Sequence, residues 1–318
     1  MLSGTSERDA TFARWRNIAL IGIVMVWVCN ETIRAASHIV PNGSFEVPAT
    51  FFVSLNFDSW QRTPQPPWWN ENATGPWTNL TGIFKNPAPS ASDHIDNCDG
   101  NQAMWLFADP DAGLFQDYDS VDWNDPSPTH AFDVKFTVGK TYKLTVGVIG
   151  GGYSMLPETP LQAGLYYRDA ASNKVVVAAT TITYSATYFS NRTHFVDFSV
   201  ATSAVNATDP WAGKNVGIQF LSTVTPELMG GYWDLENVRL TSSTATALVN
   251  PIRTNNQFRC TLQSEPGLAF EILASTNLFS PVTNWTSLNT LTNLTGSTLF
   301  VDTSTNFNQR FYRARQLP

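Results

Sequence analysis

Charged side chains are scarce in this 318-residue chain, at 14%, against about a quarter in an ordinary soluble domain. Lys and Arg number 19 against 26 Asp and Glu, a formal net charge of -7. A nucleic-acid binder needs a basic stripe to neutralise phosphates, so the balance argues against nucleic-acid partners. Only three cysteines occur, none in a CxxC pair, which excludes a thiolate zinc site. The four histidines, His38, His94, His130 and His194, show no HExxH spacing. There is no GxSxG elbow, and Gly150-Gly151-Gly152 lacks the Lys-Ser/Thr that completes a phosphate-binding loop. No stretch after residue 38 sustains the apolar spacing of a helix, and the composition is not that of a coiled coil. With 42% hydrophobic residues, the chain has ample material for a core.

What is present begins with a targeting signal. Arg14 and Arg16 precede an apolar run over 18–28, too short to cross a bilayer, and Ala35-Ala36-Ser37 supplies small residues at its end. Residues 1–37 are expected to form a signal peptide cut after Ser37; a retained N-terminal anchor is the alternative. Once cleaved, the chain has no membrane span and is expected to be secreted, extracellular or held at the cell surface. Cys98 and Cys260 then remain, and two idle thiols are the plainer reading than a bridge between them.

Short alternating runs dominate the rest: 103–107, 132–138, 142–149, 174–183, 195–200, 216–221 and 232–240. Strands of this length with Gly and Pro turns predict an all-β protein built as a β-sandwich. Gly139 is expected to turn the chain between two of these strands. Residues 47–102 carry seven prolines and Trp60, Trp68, Trp69 and Trp77; they are expected to be long ordered loops rather than central strands. The small polar stretch 242–248 reads as a linker. Beyond it, five alternating runs in residues 249–318 predict a second, small β-sandwich-like module.

The first unit, 38–241, opens with Pro41-Asn42-Gly43-Ser44-Phe45-Glu46 and closes with Trp233-Asp234-Leu235-Glu236-Asn237-Val238-Arg239-Leu240. Between them stand Gly82-Ile83-Phe84-Lys85-Asn86-Pro87 and Asp99-Gly100-Asn101-Gln102-Ala103. This order resembles the galactose-binding-like jelly-roll sandwiches of carbohydrate-binding modules, and among them the group that includes the calcium-dependent Stig cyclases. Residues 249–318, through Ala274-Ser275-Thr276-Asn277-Leu278 and Arg310-Phe311-Tyr312-Arg313, resemble a C-terminal module of secreted Verrucomicrobia proteins, which implies a bacterial source. The first resemblance implies a structural calcium ion tying the first strand to the last. Glu46, Asp234 and Glu236 are its expected ligands, Glu236 standing where the family carries Asp. Acidic residues in strand-like apolar runs repel one another unless a cation or a proton intervenes, which supports a site there independently; a solvent-facing position for Asp234 and Glu236 is the alternative.

Trp60, Trp68, Trp69, Trp77 and Trp105 are the expected ligand-binding residues, because flat aromatic faces stack on sugar rings or other planar apolar ligands; core or loop anchoring is the alternative, above all for Trp105, which lies in a strand. Asn70, Asn72, Asp93, His94, Asp96 and Asp99 are the neighbouring polar candidates. The function expected is non-catalytic binding of an extracellular glycan or small apolar ligand. A structural or adhesive surface protein is one alternative. The other, implied by the resemblance, is a Stig-cyclase-like enzyme using Asp234 or Glu236 as a buried acid.

Overall fold

The computed structural model describes residues 35–254, 257–304 and 307–317, and the protein is nearly all β, 45% strand and 4% helix. Two compact units divide it, the larger ending at Ala245 and the smaller beginning at Thr246. The larger unit contains β1 (Ala36–His38), β2 (Val53–Ser54), β3 (Gln61–Arg62), β4 (Thr81–Lys85), β5 (Gln102–Phe107) and β6 (Gly113–Gln116). It continues with β7 (Lys140–Gly152), β8 (Pro160–Arg168), β9 (Lys174–Thr183), β10 (Val196–Ala201), β11 (Gly217–Ser222) and β12 (Tyr232–Thr244). One antiparallel sheet runs β10-β7-β12-β5-β4-β2, with β1 also paired to β12; the other runs β3-β6-β11-β8-β9.

Period-two alternation builds the core between these sheets. Val146, Val148, Met104, Leu106, Trp233 and Leu235 point inward from the first sheet and are fully buried. They meet Leu114, Leu161, Leu165 and Phe220 from the second. The opposite face of the first sheet carries Phe84, Ala103 and Ile149, which pack with Ile95, Phe195 and Cys98 into a separate apolar cluster. Two loops cover that outer face, and polar side chains knit them together. Asn86 exchanges hydrogen bonds with the backbone of Ile95, both at 2.9 Å, and Asn97 does the same with Phe195 at 2.8 and 3.0 Å.

Several expectations need correction. Residues 47–102 are largely loop, yet β4 lies inside the sheet between β5 and β2; no proline interrupts the chain between Pro76 and Pro87, so a strand fits there. Residues 132–138 bury Phe132 and Phe136 but form no regular strand, only a bridge from Lys135 to Asn215 and backbone hydrogen bonds flanking it. Gly139 turns at φ +85° directly before β7. Ser242–Thr244 belong to β12 rather than to a linker, because β1 and β7 pair with them. The expected signal segment falls mostly outside the described residues, but the cut after Ser37 would pass through β1.

The smaller unit has β13 (Ala247–Thr254), β14 (Gln257–Gln263), β15 (Leu268–Ser275), β16 (Thr286–Asn293), β17 (Ser297–Asp302) and β18 (Phe311–Gln316). They form two three-stranded sheets, β13-β14-β17 and β16-β15-β18, around Cys260, Leu262, Phe270, Ile272 and Phe300. Pro251 obscures β13 in the sequence; it sits at an irregularity of this edge strand, where proline's missing donor is tolerated. Buried Asp302 accepts from Arg310 at 2.7 Å and from the Tyr312 hydroxyl at 2.8 Å. Cys98 and Cys260 are both free thiols.

Trp233 has no exposed surface, and its indole N–H finds no partner. Trp233→Ala is expected to destabilise the protein by about 3–5 kcal/mol in a denaturant melt, as large-to-small core substitutions do. Trp233→Phe should cost clearly less, because it also removes an unsatisfied buried donor. Equal losses would contradict this packing.

Candidate functional site

Strand β12 reads Tyr232-Trp233-Asp234-Leu235-Glu236, so Trp233 and Leu235 take the inner face and both acids take the outer face. The covering loops bury Glu236 fully and Asp234 in part, which desolvates both carboxyls. Burial pushes the Asp234 carboxyl up to about 7, with Arg192 opposing the shift. Burial likewise pushes Glu236 up to about 8, the charges of Asp99 and Glu46 adding to the rise.

Asp234 opens into a groove of about 630 Å³. Its walls are aromatic, from Phe52, Phe84, Trp105, Phe107 and Tyr232, with Lys85, Ser92, Asp93, Arg192 and Thr193 among its polar groups. Trp105 stands directly opposite Asp234 in the β5–β12 pairing and opposite Gly82 in the β4–β5 pairing. A Cβ on Gly82 would fall 2.3 Å from the Trp105 ring, so only glycine lets the indole lie down over β4. The Trp105 N–H donates to the Asn79 carbonyl at 3.2 Å, which fixes the ring plane. The groove thus offers an oriented indole and, one strand away, a carboxyl whose surroundings favour its proton-donating form.

The expected tryptophan cluster divides. Trp60 is buried against Phe45 and Phe220 between the sheets and donates to the Asn42 carbonyl. Trp69 and Trp77 are buried edge-to-face on each other, with their N–H groups donating to the Gly75 and Thr63 carbonyls. These three are core and loop anchors; their rings have no free face for a ligand. Trp68 is half-exposed and braced on that pair, away from the groove lining. Of the five, Trp105 alone lines the groove.

The expected metal ligands divide as well. Asp234 faces the groove and Arg192, whereas the Glu236 carboxylate feels Asp99 and Glu46. Two residues along a strand span roughly 6.5 Å, enough to put the acids under different loops. Asp234 is therefore not placed with Glu46 and Glu236. Both carboxylate oxygens of Glu236 are buried without a hydrogen bond; the Asp99 and Asn237 amides approach but do not close one. Glu46 Oε1 accepts from the amides of Asn101 and Gln102 at 2.8 and 2.7 Å, and Asp99 accepts from Ser44 Oγ at 2.7 Å. Gly100, at φ +112°, lets the loop pass over Glu46; a Cβ there would meet Oε1 at 2.5 Å. Burial, and then the charges of the three acids, push the Cys98 thiol up to about 12. Among the described residues no three His, Cys, Asp or Glu side chains stand close enough to hold a metal between them. Of the polar candidates, Asp93 reaches the groove, while Asp96 pairs with His194 at 2.7 Å. Arg192, Tyr232 and Phe107 were not foreseen. The alternation of β12 and β5 places Tyr232 and Phe107 on the outer face; nothing local marks Arg192.

No family model matches the chain, and the search of curated proteins found no match. Among solved structures, a cyclase from Fischerella sp. TAU is 20% identical, covering 67% of this chain and 100% of its own, at TM-score 0.46. The Stig cyclase Fisc from Fischerella sp. TAU, solved with a pyrrolidinylidene-indole, is also 20% identical, covering 66% and 99%, at TM-score 0.44. The CBM22-1 xylan-binding domain of Paenibacillus barcinonensis Xyn10C is 13% identical, covering 69% and 100%, at TM-score 0.34. These likenesses are distant, and the site stands on its own geometry.

The raised carboxyl values set a pH dependence. An Asp or Glu whose folded value lies above its unfolded value of about 4 favours the fold while protonated. That contribution is complete below about pH 4 and disappears as pH rises through the folded values of about 7 and about 8. In calcium-free buffer the melting temperature is expected to fall between pH 5 and 8.5. An Asp234→Asn, Glu236→Gln double variant should lose most of that slope; an unchanged slope would contradict the burial of these groups.

Proposed function

We propose that the protein is an exported β-sandwich that binds the ring of an extracellular glycan in the groove over Asp234, without catalysis. The observation that carries this reading is the pairing of a fixed Trp105 face with the Asp234 carboxyl across neighbouring strands. An indole presents apolar area to the face of a sugar ring, and convergent polar groups then fix its orientation. Asp234 supplies a hydrogen bond to a ring substituent, and Ser92 and Thr193 supply hydroxyls beside it. Isothermal titration against a panel of neutral and acidic oligosaccharides tests it. Trp105→Ala should weaken binding at least tenfold and Trp68→Ala should leave it within about threefold; the reverse would move the site to the other tryptophan.

One observation supports a second reading, acid catalysis on a planar substrate. With its value near 7, Asp234 keeps its proton in about half of the molecules at neutral pH, enough to transfer it to a ligand lying on Trp105. That reading requires turnover lost in Asp234→Asn while ligand binding persists.

We further propose a structural calcium ion between the first and last segments of the sandwich. Its support is the orphaned, fully buried carboxylate of Glu236 beside Glu46 and Asp99, hard oxygen donors of the kind calcium takes. The three carboxylates stand too far apart to share an ion as they are placed, so binding would draw Glu46 and Asp99 in toward Glu236, backbone carbonyls and water completing the shell. A ligand at a hundredfold excess over Kd stabilises by about 2.7 kcal/mol. Calcium should therefore raise the melting temperature by roughly 5–10 °C for a domain of this size. Glu236→Gln should abolish the rise, and identical melts in calcium and in EDTA would contradict the site.

A further inference from the structure

The aromatic groove is lined by two basic residues, Arg192 and Lys85, whose side chains make no salt bridge. Arg62 donates to the carbonyls of Leu55 and Thr81, Arg168 pairs with Asp117, and Arg239 with Asp197. Among the described arginines of this unit, Arg192 is the one with no hydrogen bond and no salt bridge; its guanidinium stands exposed at the groove, facing Asp234 and Tyr232. Lys85, exposed and among the lining residues, makes no side-chain hydrogen bond or salt bridge, while its backbone N–H is tied to the Phe52 carbonyl at 2.8 Å. The acids they share the groove with are Asp93 at the rim and Asp234 on the floor.

On a chain of net charge -7, an arginine and a lysine left without a salt-bridge partner beside one aromatic floor can answer an anionic group on a ligand. A guanidinium is a planar fork that matches a carboxylate through two parallel hydrogen bonds, and it keeps that geometry better than an ammonium does. We propose that the ring bound on Trp105 carries a carboxylate held by Arg192 and Lys85, so that the ligand class is a uronic-acid-containing glycan. The inference rests on the groove reading given above and names its ligand. Ring stacking supplies affinity, and the cations supply selection against neutral glycans, whose hydroxyls leave both charges unanswered.

The test titrates the protein with oligogalacturonate and oligoglucuronate, with neutral gluco- and xylo-oligosaccharides of equal length, and with a sulfated neutral oligosaccharide. The uronates are expected to bind at least tenfold more tightly than the neutral and sulfated ligands, and to weaken as salt is raised from 0.05 to 0.5 M, by analogy with screening of about 10 Å at 0.1 M. Arg192→Met should remove the preference while leaving neutral binding within about threefold, with circular dichroism confirming the fold; Arg192→Lys should restore part of it. Equal affinity for neutral or sulfated ligands, or a preference that survives Arg192→Met, overturns the proposal while leaving the groove reading intact. Binding of both classes that is indifferent to Trp105→Ala overturns the groove reading instead, and no binding of any of these ligands overturns both.

Discussion

The outward face of β12 carries two carboxylates under cover, Glu236 fully buried and Asp234 at the edge of a groove, and the rest of the larger unit answers to that constraint. Alternation dictates it: once Trp233 and Leu235 fill the core, Asp234 and Glu236 can only face outward. In most antiparallel sheets that face is wet and acids there cost nothing. Here Ile95, Phe195 and Cys98 pack over Phe84, Ala103 and Ile149, and the covering loops desolvate what lies beneath.

Each acid meets the cost of desolvation differently. Asp234 stands at the edge of the cover, where the groove opens, and its surroundings favour the proton over the charge. Glu236 is deeper, without a hydrogen-bond donor, and close to two further acids. A proton or a hard cation settles the second case; a polar ligand group completes the first. The two sites are separable because they sit under different loops, although two residues along one strand divide them.

Much of the fold was legible because it rests on period-two patterning and turn chemistry, which are local. The runs at 174–183 and 297–302 coincide with β9 and β17, and Gly139 turns where a positive φ is needed. The site was legible only in part. Asp234 and Trp105 lie in recognisable strands, but their being neighbours depends on the pairing of β12 with β5, which no local pattern specifies. The consecutive tryptophans drew attention by composition, yet Trp69 and Trp77 bury each other, because an indole removes more apolar area by packing on another indole than by waiting for a ligand. Arg192 lies on a loop 42 positions before Asp234 in the chain and reaches it only through the knitting of that loop to residues 95–97. Ser242–Thr244 misled in the opposite sense: small polar residues read as a linker, but they lengthen β12, an interior strand with which β1 and β7 both pair.

A carboxyl-carbon NMR titration of Asp234 and Glu236 in calcium-free protein measures the desolvation of the outer face of β12 directly. It should show Asp234 titrating near 7 and Glu236 near 8, with calcium collapsing the Glu236 transition and leaving that of Asp234 in place. Both groups titrating near 4, like carboxyls in water, would contradict the account, because neither the groove nor the cation site would then hold an acid out of solvent.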